Sequence, residues 1–181
     1  LASKDDALLT ELSTLLSSKT MRIYKSHDIL GVEIGGALKN IIAFCCGIVA
    51  ELGLGTNASS AIITRGLAEI ARLGVKMGAT KDTFFGLSGL GDLILTCSSD
   101  ESRNRRAGRL IGKGLSIDEI KKEIGMTIES IDNIEIANAL ANKYDVEMPI
   151  VKSVYDVIFN NKPVTEVIDG LMTRNIKFEN E

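Results

Sequence analysis

Leu8, Leu12, Leu15 and Leu16 recur at helical spacing within residues 1–18 and predict an amphipathic helix. Residues 21–24 alternate and predict a single strand, which cannot form a sheet alone. From Asp28 onward the period turns helical and stays so. Residues 32–52 are apolar almost all round, the pattern of a helix at the centre of a bundle. The glycine turn at residues 53–57 offers Asn57 as an N-cap for a helix over residues 58–77. That helix has Arg65, Glu69, Arg72 and Lys76 on one face, and Ile62, Ile63, Leu67, Ile70 and Leu73 toward the other. Residues 83–99 are punctuated by glycine, and residues 102–112 are basic. Ser116 and Glu119 fit a capping box. Ile128, Ile131, Ile134, Ala137, Ala141 and Tyr144 keep helical spacing, while Pro149 and Pro163 each precede a short amphipathic segment, as first-turn prolines do. The expected fold is an all-α domain over residues 28–181. Residues 1–27 read as the last helix and strand of an α/β domain.

Composition agrees. In 181 residues, 45% are hydrophobic and mean hydropathy is +0.15, enough apolar surface for a core. Two prolines suit long helices with short connections. Aromatic residues at 4%, with no tryptophan, argue against a base-stacking platform, and a net charge of −3 against a surface built for nucleic acid. Three cysteines, with Cys45 and Cys46 adjacent, make no disulfide framework and read as small hydrophobes. With His27 as the one histidine there is no Cys/His zinc set. The longest apolar run, residues 41–50, is half of the ~20 residues a spanning helix needs. It reads as a buried core helix, so no membrane span is expected. No basic segment followed by an apolar one opens the chain, which makes a cytoplasmic location the expectation.

Three segments carry candidate chemistry. In GVEIGGALKN (residues 31–40), paired glycines at 35 and 36 cost about 1 kcal/mol each in a helix interior. They suggest close approach by backbone or ligand. Lys39 and Asn40 then interrupt an apolar helix. Burial disfavours a charged ammonium, which suits proton transfer, whereas a lysine near a helix end can also simply snorkel. GLSGLGD (residues 86–92) looks like a phosphate-cradling loop but lacks the preceding strand and the Walker lysine. It reads as either a connector or a site, with Asp92 as an N-cap or as a carboxylate near Lys39. Residues 96–106 and Arg109 combine arginine forks, hydroxyls and a helix start, which suits a phosphate monoester. A solvated face or an RNA contact uses the same residues, and Asp100 and Glu101 disfavour RNA.

Taken in order, GVEIGGALKN, TRGLAEI (residues 64–70), residues 87–92, LTC (residues 95–97) and SRNR (residues 102–105) resemble the bacterial biosynthetic type of NAD(P)-dependent sn-glycerol-3-phosphate dehydrogenase. The resemblance runs from about Met21 to the C-terminus. It implies the all-helical substrate domain of the 6-phosphogluconate dehydrogenase C-terminal-like type, after a remnant of a Rossmann domain whose G-x-G-x-x-G loop does not occur here. It implies reduction of dihydroxyacetone phosphate to sn-glycerol 3-phosphate with NAD(P)H, feeding glycerophospholipid synthesis, and a homodimer. Lys39 corresponds to the catalytic lysine. Asn40, Asp92 and Thr96 fall in the substrate site, and Ser102, Arg103 and Asn104 in the phosphate-binding and substrate-binding group. Arg103, Thr127 and Glu129 match residues that contact the dinucleotide. Ser130 stands where the family commonly has glycine, and Asp100 and Glu101 are expected to face solvent. Gly31, Gly35, Gly36, Gly86, Gly89 and Gly91 are expected to let substrate and cofactor approach the backbone. Two other readings remain open: another two-domain dehydrogenase of the hydroxyacid or 6-phosphogluconate type, and a non-catalytic helical module that binds nucleic acid.

Overall fold

The structure, a computed structural model, describes residues 1–175 and 178. Among these the chain is all-helical. Helix α1 (Asp6–Leu16) is capped by Asp5, which accepts from the Leu8 amide. The expected strand at residues 21–24 does not form. That stretch is irregular, and one parallel bridge joins Ala2 to Ser26, with Ser26 N donating to Leu1 O at 2.9 Å and Ser3 N to Ser26 O at 3.1 Å. One bridge is too little for a ladder, and among the described residues no second bridge extends it.

Helix α2 (Ile29–Glu51) is the axis of the fold. Asp28 caps it, accepting from Gly31 N, and also ties in the following segment by accepting from Thr80 N at 2.9 Å and Thr83 Oγ1 at 2.6 Å. Burial pushes the Asp28 carboxyl up, but those three hydrogen bonds outweigh it and hold it below the usual aspartate value. Ile41, Ile42, Ala43 and Phe44 have no exposed surface. Each large side chain among them contributes about 1.5–3 kcal/mol by leaving water. By length and composition α2 is apolar enough to cross a membrane, yet 72% of its most apolar window is buried inside the domain. Cys45, Cys46 and Cys97 lie in this core as free thiols, and burial pushes Cys45 well above its ordinary value.

Helix α3 (Gly55–Met77) begins three residues before the expected start, so Asn57 lies in its first turn and is not the cap. Glycines at 53 and 55, with φ of 69° and 84°, complete the reversal early enough for the helix to start there. A 3₁₀ turn (Lys81–Phe85) and a π turn (Leu87–Gly91) lead into α4 (Asp92–Ser98). Then come α5 (Arg103–Gly112), α6 (Ile117–Ile124), α7 (Glu129–Tyr144), α8 (Pro149–Phe159) and α9 (Val164–Met172). The capping box is present at Ser116 and Glu119. Pro149 occupies the first turn of α8, whereas Pro163 sits at the cap position just ahead of α9.

Helices α2 and α5 meet backbone to backbone. A Cβ on Gly47 would strike the Arg105 carbonyl, and one on Gly108 would strike the Phe44 carbonyl. Glu69 departs from its expected place on a polar face. It is 1% exposed and spends both oxygens on the start of α8, accepting from Ile150 N at 2.8 Å and Val151 N at 3.3 Å. The polar stripe of α3 is where α8 docks, and a helix start offers unpaired amides that a carboxylate can satisfy.

Candidate active site

The interruption of α2 by polar residues has a counterpart across the fold. Lys39 Nζ donates to Asp92 Oδ2 at 2.5 Å, with the two side chains 20% and 35% exposed. Asp92 is the first residue of α4, which continues directly from the π turn, and its side chain caps no helix. Of its two expected roles, the partner to Lys39 is the one it fills. Thr96, one turn on, donates from Oγ1 to Asp92 O at 2.7 Å and approaches Asp92 Oδ1 at 3.4 Å. The pair is therefore held from two helices. A donor-only ammonium beside an ionised carboxylate at a half-open edge can exchange a proton with a ligand oxygen.

Next along α2, Asn40 is 4% exposed and donates from Nδ2 to Glu129 Oε2 at 2.8 Å. Glu129 opens α7, and the residues around it are clamped to α5. Arg103 donates to Thr127 O at 3.0 Å, and the Ser130 amide donates to Asn104 Oδ1 at 2.9 Å. Ser102 caps α5 by accepting from Arg105 N at 3.3 Å. Thus the structure groups Lys39, Asp92 and Thr96, joins Asn40 to Glu129, and links Arg103 and Asn104 to the segment that leads into α7. Asn40, following Lys39 along α2, connects the first group to the second.

Two expectations change. Within residues 86–92 Gly89 is no clearance for a ligand, whereas Gly86 and Gly91 meet only ordinary contacts. A Cβ on Gly89 would strike Phe84 backbone, and one on Gly35 would come within 3.0 Å of Ser88 O, so the π turn packs against α2. Gly31 is likewise filled, by Asp28 and Thr83. Gly36 alone of the α2 set has open space before it, one turn ahead of Asn40. The basic helix α5 is also less available than its charge suggests. Asp100 pairs with Arg105 and with Arg109, and Arg109 also reaches Glu51 at 3.3 Å. Asp100 is exposed, as expected, but its charge is used. Sequence reasoning missed the Asn40–Glu129 and Asn104–Ser130 pairings, since 89 and 26 residues separate the partners.

The lysine–carboxylate pair and the helices that hold it fall within one class of protein, the C-terminal helical domain of a dinucleotide-dependent dehydrogenase. Residues 28–169 match the family described as NAD-dependent glycerol-3-phosphate dehydrogenase C-terminus, and the chain belongs to that family. The glycerol-3-phosphate dehydrogenase (NAD(P)+) of Bacillus subtilis (strain 168) is 49% identical over 180 residues, 99% of this chain and 52% of its own length. A second enzyme of that name, from Lactobacillus delbrueckii subsp. bulgaricus, is 51% identical over 178 residues, 98% of this chain and 53% of its own. The crystal structure of the Coxiella burnetii glycerol-3-phosphate dehydrogenase superposes with a TM-score of 0.92 at 39% identity, covering 96% of this chain and 53% of that one. The Saccharomyces cerevisiae enzyme gives 0.80 at 31%, over 88% and 47%. The chain spans about half the length of the curated relatives it matches.

Proposed function

We propose that this chain is the substrate-binding and catalytic half of a glycerol-3-phosphate dehydrogenase that reduces dihydroxyacetone phosphate to sn-glycerol 3-phosphate. The observation that carries the reading is the Lys39–Asp92 pair at 2.5 Å, set beside the opening at Gly36 in a chain of this family. Residues 1–27 belong, in this reading, to the end of a dinucleotide-binding domain; the parallel bridge between Ala2 and Ser26 across α1 has the sense of a β-α-β unit.

The chain's own polar groups fit a dinucleotide as one wall of its site. Arg103 is half-buried and held by one carbonyl, Thr127 and Glu129 are exposed, and Gly36 leaves space free. When bound, reduced NAD(P)H supplies the hydride. Arg103, Ser102 and Asn104 hold the charged, non-reacting end of the substrate, so that binding energy there orients the carbonyl. Lys39 gives a proton to the carbonyl oxygen as the alcohol forms, and takes it back in the reverse direction. Asp92 keeps the ammonium aimed, and Thr96 keeps Asp92 in place. Asn40 orients the substrate. The product feeds glycerophospholipid synthesis, the enzyme works in the cytoplasm, and it acts as a homodimer.

The nucleic-acid alternative loses support, because Arg105 and Arg109 are engaged by Asp100 and Glu51. The test is Lys39→Met in the full-length protein. Substrate-dependent oxidation of NADPH should fall on the order of 10³-fold or more, with dinucleotide affinity little changed. Near-normal turnover would overturn the assignment.

A further inference from the structure

The side-chain amide of Asn40 has two ends, and protein accounts for only one. Nδ2 donates to Glu129 Oε2 at 2.8 Å and lies 3.5 Å from Gly36 O. A carboxylate only accepts, so the NH₂ end must face Glu129 and the amide cannot turn over without putting oxygen against oxygen. Oδ1 therefore points the other way. It has no hydrogen bond among the described residues, and it keeps contact with solvent although Asn40 as a whole is 4% exposed. Gly36, one turn earlier, brings no side chain to cover it. Polar groups this deeply set are nearly always paired, so an acceptor held free at an opening is shaped for a donor from outside.

The neighbouring group has the opposite polarity. Lys39 carries donors alone, suited to a carbonyl or alkoxide oxygen; Asn40 Oδ1 is an acceptor, suited to an O–H and unfavourable to an anion. We propose that Glu129 is a positioning residue: it locks the Asn40 amide with its oxygen toward the open space at Gly36, so that the site selects a ligand with a hydroxyl next to the carbonyl that Lys39 addresses. The selection rests on the functional reading above; the lock does not. Glu129 is itself exposed, so replacing it opens no cavity.

The test uses the full-length protein and two substrates, dihydroxyacetone phosphate and acetol phosphate, which lacks only the free hydroxyl. The unaltered enzyme should prefer the first by about tenfold or more in kcat/KM, since a site built for a hydroxyl rejects the analogue without it. Glu129→Ala should cut that preference at least threefold. Glu129→Gln, whose side-chain oxygen still accepts from Asn40, should keep it. Equal loss on both substrates, or an unchanged preference, overturns the selection. The lock is read separately by NMR without substrate. Solvent exchange of the Asn40 side-chain protons should be at least tenfold faster in Glu129→Ala than in the unaltered protein, and an unchanged rate overturns it. An enzyme that reduces neither substrate but shows the exchange change would sink the functional reading and leave the lock standing.

Discussion

Two acidic side chains of this domain are set against positive partners in opposite ways. Asp92 lies at a half-open edge and faces an ammonium, with a threonine hydroxyl close behind it. Glu69 lies in the interior and faces two backbone amides. At the first site, solvent and charge are kept within reach of a ligand, and a half-open ion pair adds on the order of 1 kcal/mol to stability. At the second, nothing can reach the carboxylate. Its work is to finish the hydrogen bonding of α8, and an amide left unpaired there would cost about 1–3 kcal/mol. The difference separates a carboxylate left within reach of a ligand from one sealed into the architecture.

Substitutions should separate the two along different axes. Asp92→Ala in the full-length protein should lower turnover on the order of 10²-fold while the denaturation midpoint barely moves, because Lys39 loses its aim and little else changes. A large loss of stability with intact turnover would reverse the comparison. Glu69→Ala should do the opposite. Unfolding free energy should drop by about 3 kcal/mol, from two orphaned amides and a lost helix-start partner, with turnover of the folded fraction close to normal. Glu69→Gln, which can satisfy one amide with its oxygen, should fall between.

The buried acid also predicts a pH dependence. Burial pushes the Glu69 carboxyl from its ordinary 4.5 up to about 7, against the lowering effect of the Ile150 and Val151 amides and of Arg72 and Arg174. Because the folded value is the higher one, folding favours the neutral acid. The stability it adds is complete below about 4.5 and is lost as pH rises through about 7. Melting temperatures of the native chain and of Glu69→Gln should therefore diverge in favour of the native chain between pH 8 and pH 5. A constant difference would mean the carboxylate does not titrate in that window. The smallest effect is expected at Asp28→Ala, about 1–2 kcal/mol by chemical denaturation, from loss of the α2 cap and its ties to Thr80 and Thr83.

The sequence carried whatever depended on local pattern. The period of residues 32–52 marked α2 as central, the Ser116–Glu119 spacing located the start of α6, and the polar break at Lys39 and Asn40 marked where α2 makes its polar contacts with Asp92 and Glu129. It misjudged what depends on where a distant backbone ends. Glu69 shares a helical face with Arg65 and Arg72, and only the arrival of the α8 start turns that position inward. The glycines at 31, 35 and 89 looked like clearances for a ligand, yet Asp28, Thr83, Ser88 and Phe84 occupy those spaces. Residues 21–24 alternate like a strand, yet among the described residues the one bridge nearby joins Ala2 to Ser26.

At Gly47 against the Arg105 carbonyl, and at Gly108 against the Phe44 carbonyl, α2 and α5 touch through backbone with no side chain in between. One helix carries Lys39 and the other begins with Arg103. The span between the Lys39 ammonium and the Arg103 guanidinium is thus gauged by main chain against main chain, like the fixed jaws of a caliper. Adding even one methyl group at Gly47 or Gly108 would reset the gauge and change the distance between the two cations.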